Sequence, residues 1–187
     1  MADVVTWRPE YREDFERLNR EWIEAYFAVE ASDLAVFRDP GEAIVRPGGE
    51  IFFVVDDEGV RGVCALLPHA SGVLELAKMA VSPSAQGRGY GELLMRAAIA
   101  HARGRGVRKL MLVSNTRLGP AIGLYRKVGF REVPMEPGIE YARADIQMEL
   151  DLSPPPCPPS WAAPRRPRGA RAPRYCCPPI RSAPRWP

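Results

Sequence analysis

The stretch Ser82–Gly91, SPSAQGRGYG, carries glycine at every second position of its latter half: Gly87, Gly89 and Gly91. Glycine has more conformational freedom to lose on ordering than any other residue, so three in five positions need a reason. The flanks supply one. VLELAKMAV (73–81) before it is an apolar, strand-like run, and YGELLMRAAIAHARGRG (90–106) after it sets Leu94, Ala97, Ala98 and His101 on one helical stripe. A strand-to-helix junction offers unpaired backbone N–H groups and the positive end of a helix dipole. Without side chains, an anion can approach that backbone closely, so the stretch reads as a phosphate or pyrophosphate cradle with Arg88 adding a positive charge. A tight turn with no ligand is the structural alternative.

Two nucleotide-site patterns are excluded. A phosphate-binding P-loop ends in Gly-Lys-Ser/Thr, whereas Tyr90-Gly91-Glu92 stands here. A dinucleotide fingerprint has G-x-G-x-x-G spacing and an acid about 20 residues on; here the spacing is G-x-G-x-G and Arg108-Lys109 follow.

Outward from the junction, VVTWRP reads as an opening strand, and YREDFERLNREWIEAYF as a helix with Phe15, Leu18, Trp22 and Tyr26 at helical spacing. SDLAVFRDPGEAIV is a second helical piece broken at Pro40-Gly41. IFFVV (51–55) and VRGVCALL (60–67) flank the turn DDEG as a hairpin. RKLMLVS (108–114) is a buried strand and GPAIGLYRKVGF a short helix stopped at Gly129. REVPM and EYARADIQMELDL close the sheet. The order β-α-α-β-β-β-α-β-α-β-β predicts a single α/β (mixed α+β) domain over 1–152, a central mixed, mostly antiparallel sheet flanked by helices.

Residues 153–187 differ in composition. They hold twelve of the twenty prolines, seven arginines and no acid. Removing those arginines leaves 19 basic against 23 acidic side chains in residues 1–152, a net of −4. The basic balance therefore belongs to the tail, and nucleic acid is expected as a partner only weakly, through that tail. The tail reads as a Pro/Arg-rich, low-complexity, disordered segment. Three of the four cysteines lie in it, and Cys64 in the body reads as a small core residue. No metal-ligand spacing occurs, and no run nears the ~18 apolar residues of a membrane span. The N-terminus lacks a secretory pattern, so a cytoplasmic protein without metal or membrane partner is expected.

Gln86-Gly87-Arg88-Gly89-Tyr90-Gly91 resembles the Q/R-x-x-G-x-G/A signature of the GNAT superfamily of acetyl-CoA-dependent N-acetyltransferases. ELAKMAVSPSAQGRGYGELLM is similar to that family's strand-loop-helix motif, and LVSNTRLGPAIGLYRKVGF to its next strand-helix. The resemblance is strong over 73–130 and follows element order over 4–152. It implies acetyl-CoA as co-substrate, with Gln86, Gly87, Arg88, Gly89, Tyr90 and Gly91 at the pyrophosphate. It further implies that the backbone of Met79, Ala80 and Val81 pairs with the pantetheine arm, that the Met79 amide polarises the thioester carbonyl, and that Asn115 touches the cofactor from the opposite side. Tyr125 would sit near the sulfur, although its spacing with Ala121, Leu124 and Val128 is also that of a core stripe.

Acetyl transfer needs a neutral amine, so a group must take its proton. Glu75 shares strand parity with Met79, which predicts both side chains on one face, and it is the candidate base beside a water chain. By the same resemblance Tyr26, Glu30, Asp33 and Tyr141 are candidates for the acceptor site. The body's negative charge suits a cationic amine. A small-molecule amine is the first expectation for the acceptor and a protein amine the second, with a homodimer allowed. A non-catalytic acyl-CoA-binding module is the reading from another class.

Overall fold

The computed structural model describes residues 1–138 and 141–153; the low-complexity tail predicted for 153–187 lies, after Ser153, outside the described residues. Strands β1 (Asp3–Thr6), β2 (Glu50–Asp56), β3 (Gly59–Ala70), β4 (Val73–Val81), β5 (Lys109–Ser114), β6 (Arg131–Val133) and β7 (Ile146–Asp151) alternate with helices α1 (Arg12–Tyr26), α2 (Ala31–Arg38), α3 (Tyr90–Gly104) and α4 (Gly119–Lys127). This is the predicted order of strands and helices. The broken piece after α2 is a π-type turn over Gly41–Val45, entered through Pro40. EYARADIQMELDL is a strand only over its last part, where apolar and polar residues alternate.

The seven strands form one sheet in the order β1-β2-β3-β4-β5-β7-β6. Every pairing is antiparallel except β4 with β5. Side chains alternate across β2 and β3: Phe52, Val54, Cys64 and Leu66 face α3 and α4, whereas Ile51, Phe53, Val63 and Ala65 face α1 and α2. Two apolar layers thus sandwich the sheet. α3 packs on the first through Leu94, Met95, Ala98 and Ala102, and α1 on the second through Phe15, Leu18 and Ile23, all buried. Burying an aliphatic or aromatic side chain of this size stabilises by about 1.5–3 kcal/mol, so these stripes rather than helix propensity hold the helices on the sheet.

β4 departs from this regularity. Ala65 pairs with Ala77 and Val63 with Ala80, so Lys78 and Met79 together oppose the single residue Cys64. Lys78 is the one described non-glycine residue with a left-handed backbone, φ +52°. This is a β-bulge, and it inverts the alternation. Leu74 and Leu76 face the α3–α4 layer, but beyond the bulge Met79 and Val81 face that layer and Ala80 faces α1 and α2.

β4 and β5 also part company. They pair only over Val73–Glu75 with Lys109–Met111. Beyond that point β4 stays on β3 and β5 stays on β7, and a wedge opens between them.

Candidate active site

The wedge is the mouth of a cavity of about 590 Å³. β4 forms one wall, the β5–α4 segment another, the β4–α3 loop one end, and the C-terminal part of α1 with Tyr141–Ala144 the other. Most of the predicted site comes together here: Glu75, Met79, Ala80, Val81, Gln86, Gly87, Gly89, Tyr90, Gly91, Asn115 and Tyr125 all line it. Among the acceptor candidates, Tyr26 and Tyr141 line it too.

The glycine junction is open backbone. Gly87 and Gly89 have φ of +78° and +82°, a conformation that costs an L side chain strain, and a Cβ on either would meet nothing within 4 Å. The amides of Gly87, Gly89, Tyr90, Gly91 and Glu92 make no hydrogen bond among the described residues; the first helical bond runs from the Leu93 amide to the Gly89 carbonyl. Five amides without a hydrogen-bond partner among the described residues, at the start of a fifteen-residue helix, fit a bound pyrophosphate. Gly91 has a second function, because a Cβ there would meet Leu124 at 3.1 Å and Met79 at 3.4 Å. It lets α3, α4 and β4 close on one another.

Arg88 is not in the cavity wall. Its guanidinium turns to the β2–β3 hairpin, 3.7 Å from Asp56 and 3.5 Å from Glu58. The Tyr90 hydroxyl donates to Asp56 Oδ2 at 2.8 Å. Burial alone would raise the Asp56 carboxyl, but Tyr90, the Glu58 amide and the two nearby arginines hold it below the usual range. This network ties the loop to the hairpin. Asn115 likewise serves its loop, donating to the Arg143 carbonyl at 2.6 Å and accepting the Arg117 amide at 2.9 Å.

Tyr125 belongs to both of its readings. It is 8% exposed and part of the α3–α4 core, yet it lines the cavity. Burial, with a smaller push from Cys64, drives its phenol up to about 12 against the pull of the Ser114 hydroxyl. It is therefore fully protonated at neutral pH. Cys64 is buried, donates toward the Leu94 carbonyl at 3.8 Å, and has its thiol raised by burial, as an inert core residue should.

Two expectations are corrected. Glu75 and Met79 do not share a face: the bulge sets Glu75, Ala77 and Lys78 toward α1 and α2 and turns the Met79 side chain toward α3 and α4. Parity counts strand residues, and the extra residue at Lys78 breaks the count. Glu30 and Asp33 do not line the cavity but lie behind its wall. The Asp33 side chain is 0% exposed and accepts from Lys78 Nζ at 2.7 Å, Arg143 Nη1 at 2.9 Å, Arg143 Nη2 at 3.0 Å and the Glu30 amide at 3.2 Å. Burial would raise this carboxyl, but Arg143 and Lys78 outweigh it and hold it low. Glu30 accepts from Arg143 Nη1 at 2.9 Å.

Lys78, Arg117 and Arg143 line the cavity without having been anticipated. A lysine inside a largely apolar strand is the signal that could have found the first. Lys78 Nζ donates to the Tyr141 hydroxyl at 2.9 Å and lies 4.9 Å from the centre of its ring. Arg143 covers the other contact to that ring at 4.7 Å, and Arg117 sits 5.6 Å over Phe27.

A wedge opens between a parallel strand pair, with open amides at a helix start at one end of it. The sequence model of the acetyltransferase (GNAT) family matches residues 6–130, and the chain belongs to that family. It is 31% identical over 81 residues to a mycothiol acetyltransferase of Corynebacterium glutamicum, which covers 43% of this chain and 28% of that protein. The chain thus matches little more than a quarter of that relative's length. In fold it is similar to a GNAT-family acetyltransferase of Staphylococcus aureus Mu50, with a TM-score of 0.76, 14% identity, and coverage of 82% of this chain and 100% of that one. It is also similar to a phosphinothricin acetyltransferase of Sinorhizobium meliloti solved with acetyl-CoA, with a TM-score of 0.66, 17% identity, and coverage of 81% and 88%. No helix among the described residues is long and apolar enough to cross a membrane.

Proposed function

We propose that the protein transfers the acetyl group of acetyl-CoA directly to a primary amine of a small molecule, both substrates being bound at once. One observation carries this reading: the open amides at Gly87–Glu92, the half-buried Glu75 and the phenol of Tyr125 all face one continuous cavity. The relatives' name, mycothiol acetyltransferase, names a small molecule and not a protein, which supports a small acceptor.

Bound acetyl-CoA supplies an activated thioester. Gln86–Gly91 and the α3 N-terminus would hold its pyrophosphate, with the helix dipole adding to the five amides. The stretch Ala77–Val81 of β4, which does not pair with β5, would align the pantetheine arm, and the Met79 amide would polarise the carbonyl. Glu75 would take a proton from the substrate ammonium before attack, an ammonium whose pKa lies near 10 for a lysine-like amine (~10.4) and lower for an α-amine (~8). The neutral amine nitrogen would then bond to the acetyl carbon as the carbon–sulfur bond breaks, its second proton passing through solvent to the departing thiolate, so that an amide and the free thiol result.

Tyr125 faces the departing sulfur. A phenol at about 12 is a weaker acid than a free thiol at ~8.5, so complete transfer is uphill by ~3.5 units, roughly 5 kcal/mol. Its useful act is therefore a hydrogen bond to the developing thiolate, worth about 1.5–3 kcal/mol for a charged acceptor.

The test is thiol release from acetyl-CoA, measured against a panel of small amines and amine-bearing peptides. Amine-dependent release with an acetylated small product is expected. Tight acetyl-CoA binding with no release above hydrolysis for any amine would leave a binding module instead.

A further inference from the structure

The acceptor end of the cavity has a charge arrangement that the body's net charge does not foretell. Three cationic side chains line it: Lys78, Arg117 and Arg143. Their described counter-ions are behind the wall. Asp33 is fully buried beneath Lys78 and Arg143, and Glu30 reaches Arg143 from the same side. On the wall itself the carboxylates are Glu75 and Glu92, and Glu92 is at the far end, paired with Lys127 and Arg96. Lys78 and Arg143 thus line the cavity as largely buried cations, their side chains 4% and 13% exposed, with carboxylate partners behind them.

The donors are not all used. An ammonium has three N–H bonds and a guanidinium five. Among the described residues Lys78 gives one to Asp33 and one to Tyr141, and its Nζ lies 5.6 Å from the centre of the Phe37 ring. Among the described residues Arg143 gives three, two to Asp33 and one to Glu30, leaving two. The Arg117 side chain makes no hydrogen bond or ion pair among the described residues and is held by the Phe27 ring at the mouth. The Tyr141 hydroxyl accepts from Lys78.

Resting on the N-acetyltransferase reading above, we infer that the acceptor carries a carboxylate next to its amine: the substrate class is a free amino acid or a close analogue. The bulge at Lys78 makes this geometry, because it brings Glu75 and Lys78 onto the same face of β4, one suited to the amine and the other to the carboxylate. The ammonium of the substrate sits at Glu75 and loses its proton there. The carboxylate takes the unused donors of Lys78, Arg143 and Arg117. A polycationic amine would meet three like charges at this end.

The experiment is thiol-release kinetics on matched trios at saturating acetyl-CoA: an L-amino acid, its carboxamide and its decarboxylated amine, with spermidine as the polycationic probe. Rates are compared per neutral amine. The amino acid should exceed both partners in kcat/KM by at least about tenfold, and Arg117→Gln should reduce that preference by about fivefold or more, through KM rather than kcat. Calorimetric binding of acetyl-CoA by the variant reports that its fold and cofactor site persist. Equal or faster turnover of the carboxamide, the decarboxylated amine or spermidine overturns the inference and leaves N-acetyl transfer standing. A preference that survives unchanged in Arg117→Gln and Arg143→Gln overturns it as well. No amine-dependent release from any member, with acetyl-CoA bound, overturns the transferase reading and this inference with it.

Discussion

Asp33→Asn is the most informative single change. It keeps the volume of a side chain that is 0% exposed and removes the charge that faces two cations. Asp33 accepts four hydrogen bonds, three of them from Lys78 and Arg143 at 2.7–3.0 Å. Breaking a buried pair from one side costs about 3–5 kcal/mol, because the partner is left charged and dry. Arg143 retains Glu30 at 2.9 Å, so the lower end applies, about 3 kcal/mol. For a domain of this size that is a fall in Tm of about 6–12 °C.

Urea denaturation followed by circular dichroism, with the slope unchanged, measures the loss. Adding Lys78→Met should restore at least about half of it, since removing both charges removes the stranded one. The loss should also depend on pH in a defined direction. The Asp33 carboxyl is held below its usual value, so its stabilisation is fully present above the unfolded value of ~3.9 and fades as pH falls through the folded one. Parent and variant should thus differ by a constant amount between pH 5 and 7, roughly, and converge below about pH 4. A loss under about 1 kcal/mol, or a double variant as unstable as the sum of the singles, would refute the reading that the Asp33 charge balances the buried Lys78 and Arg143.

Gly89→Asp adds a side chain at φ +82° and a negative charge at the open amides; acetyl-CoA affinity by calorimetry should fall at least about tenfold, and unchanged binding in a folded variant would remove the cradle. Tyr125→Phe keeps the ring in the core and deletes the hydroxyl; kcat should drop about 10–100-fold with acetyl-CoA affinity preserved, whereas parent-like turnover would reduce Tyr125 to packing. Since that phenol lies near 12, the parent rate should show no alkaline fall assignable to it below about pH 10. Glu75→Gln should lower kcat/KM by about 10²-fold near neutrality and recover as pH approaches the amine's own pKa; an equal defect at every pH would argue against a base at Glu75.

Much of this protein was legible in local chemistry. Helical spacing marked α1, α3 and α4, continuous apolar runs marked β2 to β5, and three alternating glycines between a strand and a helix announced an anion cradle. LYRKVGF carried Tyr125 to the cavity even though its spacing equally described a core stripe, and the structure gives it both settings. These features depend on periodicity and on backbone freedom, which are properties of a few neighbouring residues. The acceptor end depends on something else. Lys78 meets Asp33 across 45 positions and Arg143 meets it across 110, and no local pattern links residues so far apart. The bulge is equally nonlocal: strand parity put Glu75 beside Met79, but the pairing of β3 with β4 admits one extra residue at Lys78 and reverses every side chain after it. Short-range chemistry determined the elements and the cofactor loop, because propensity and periodicity act within a turn or two of chain. Register and the burial of opposite charges exist only between elements, so tertiary structure alone decided which side chains face the acceptor.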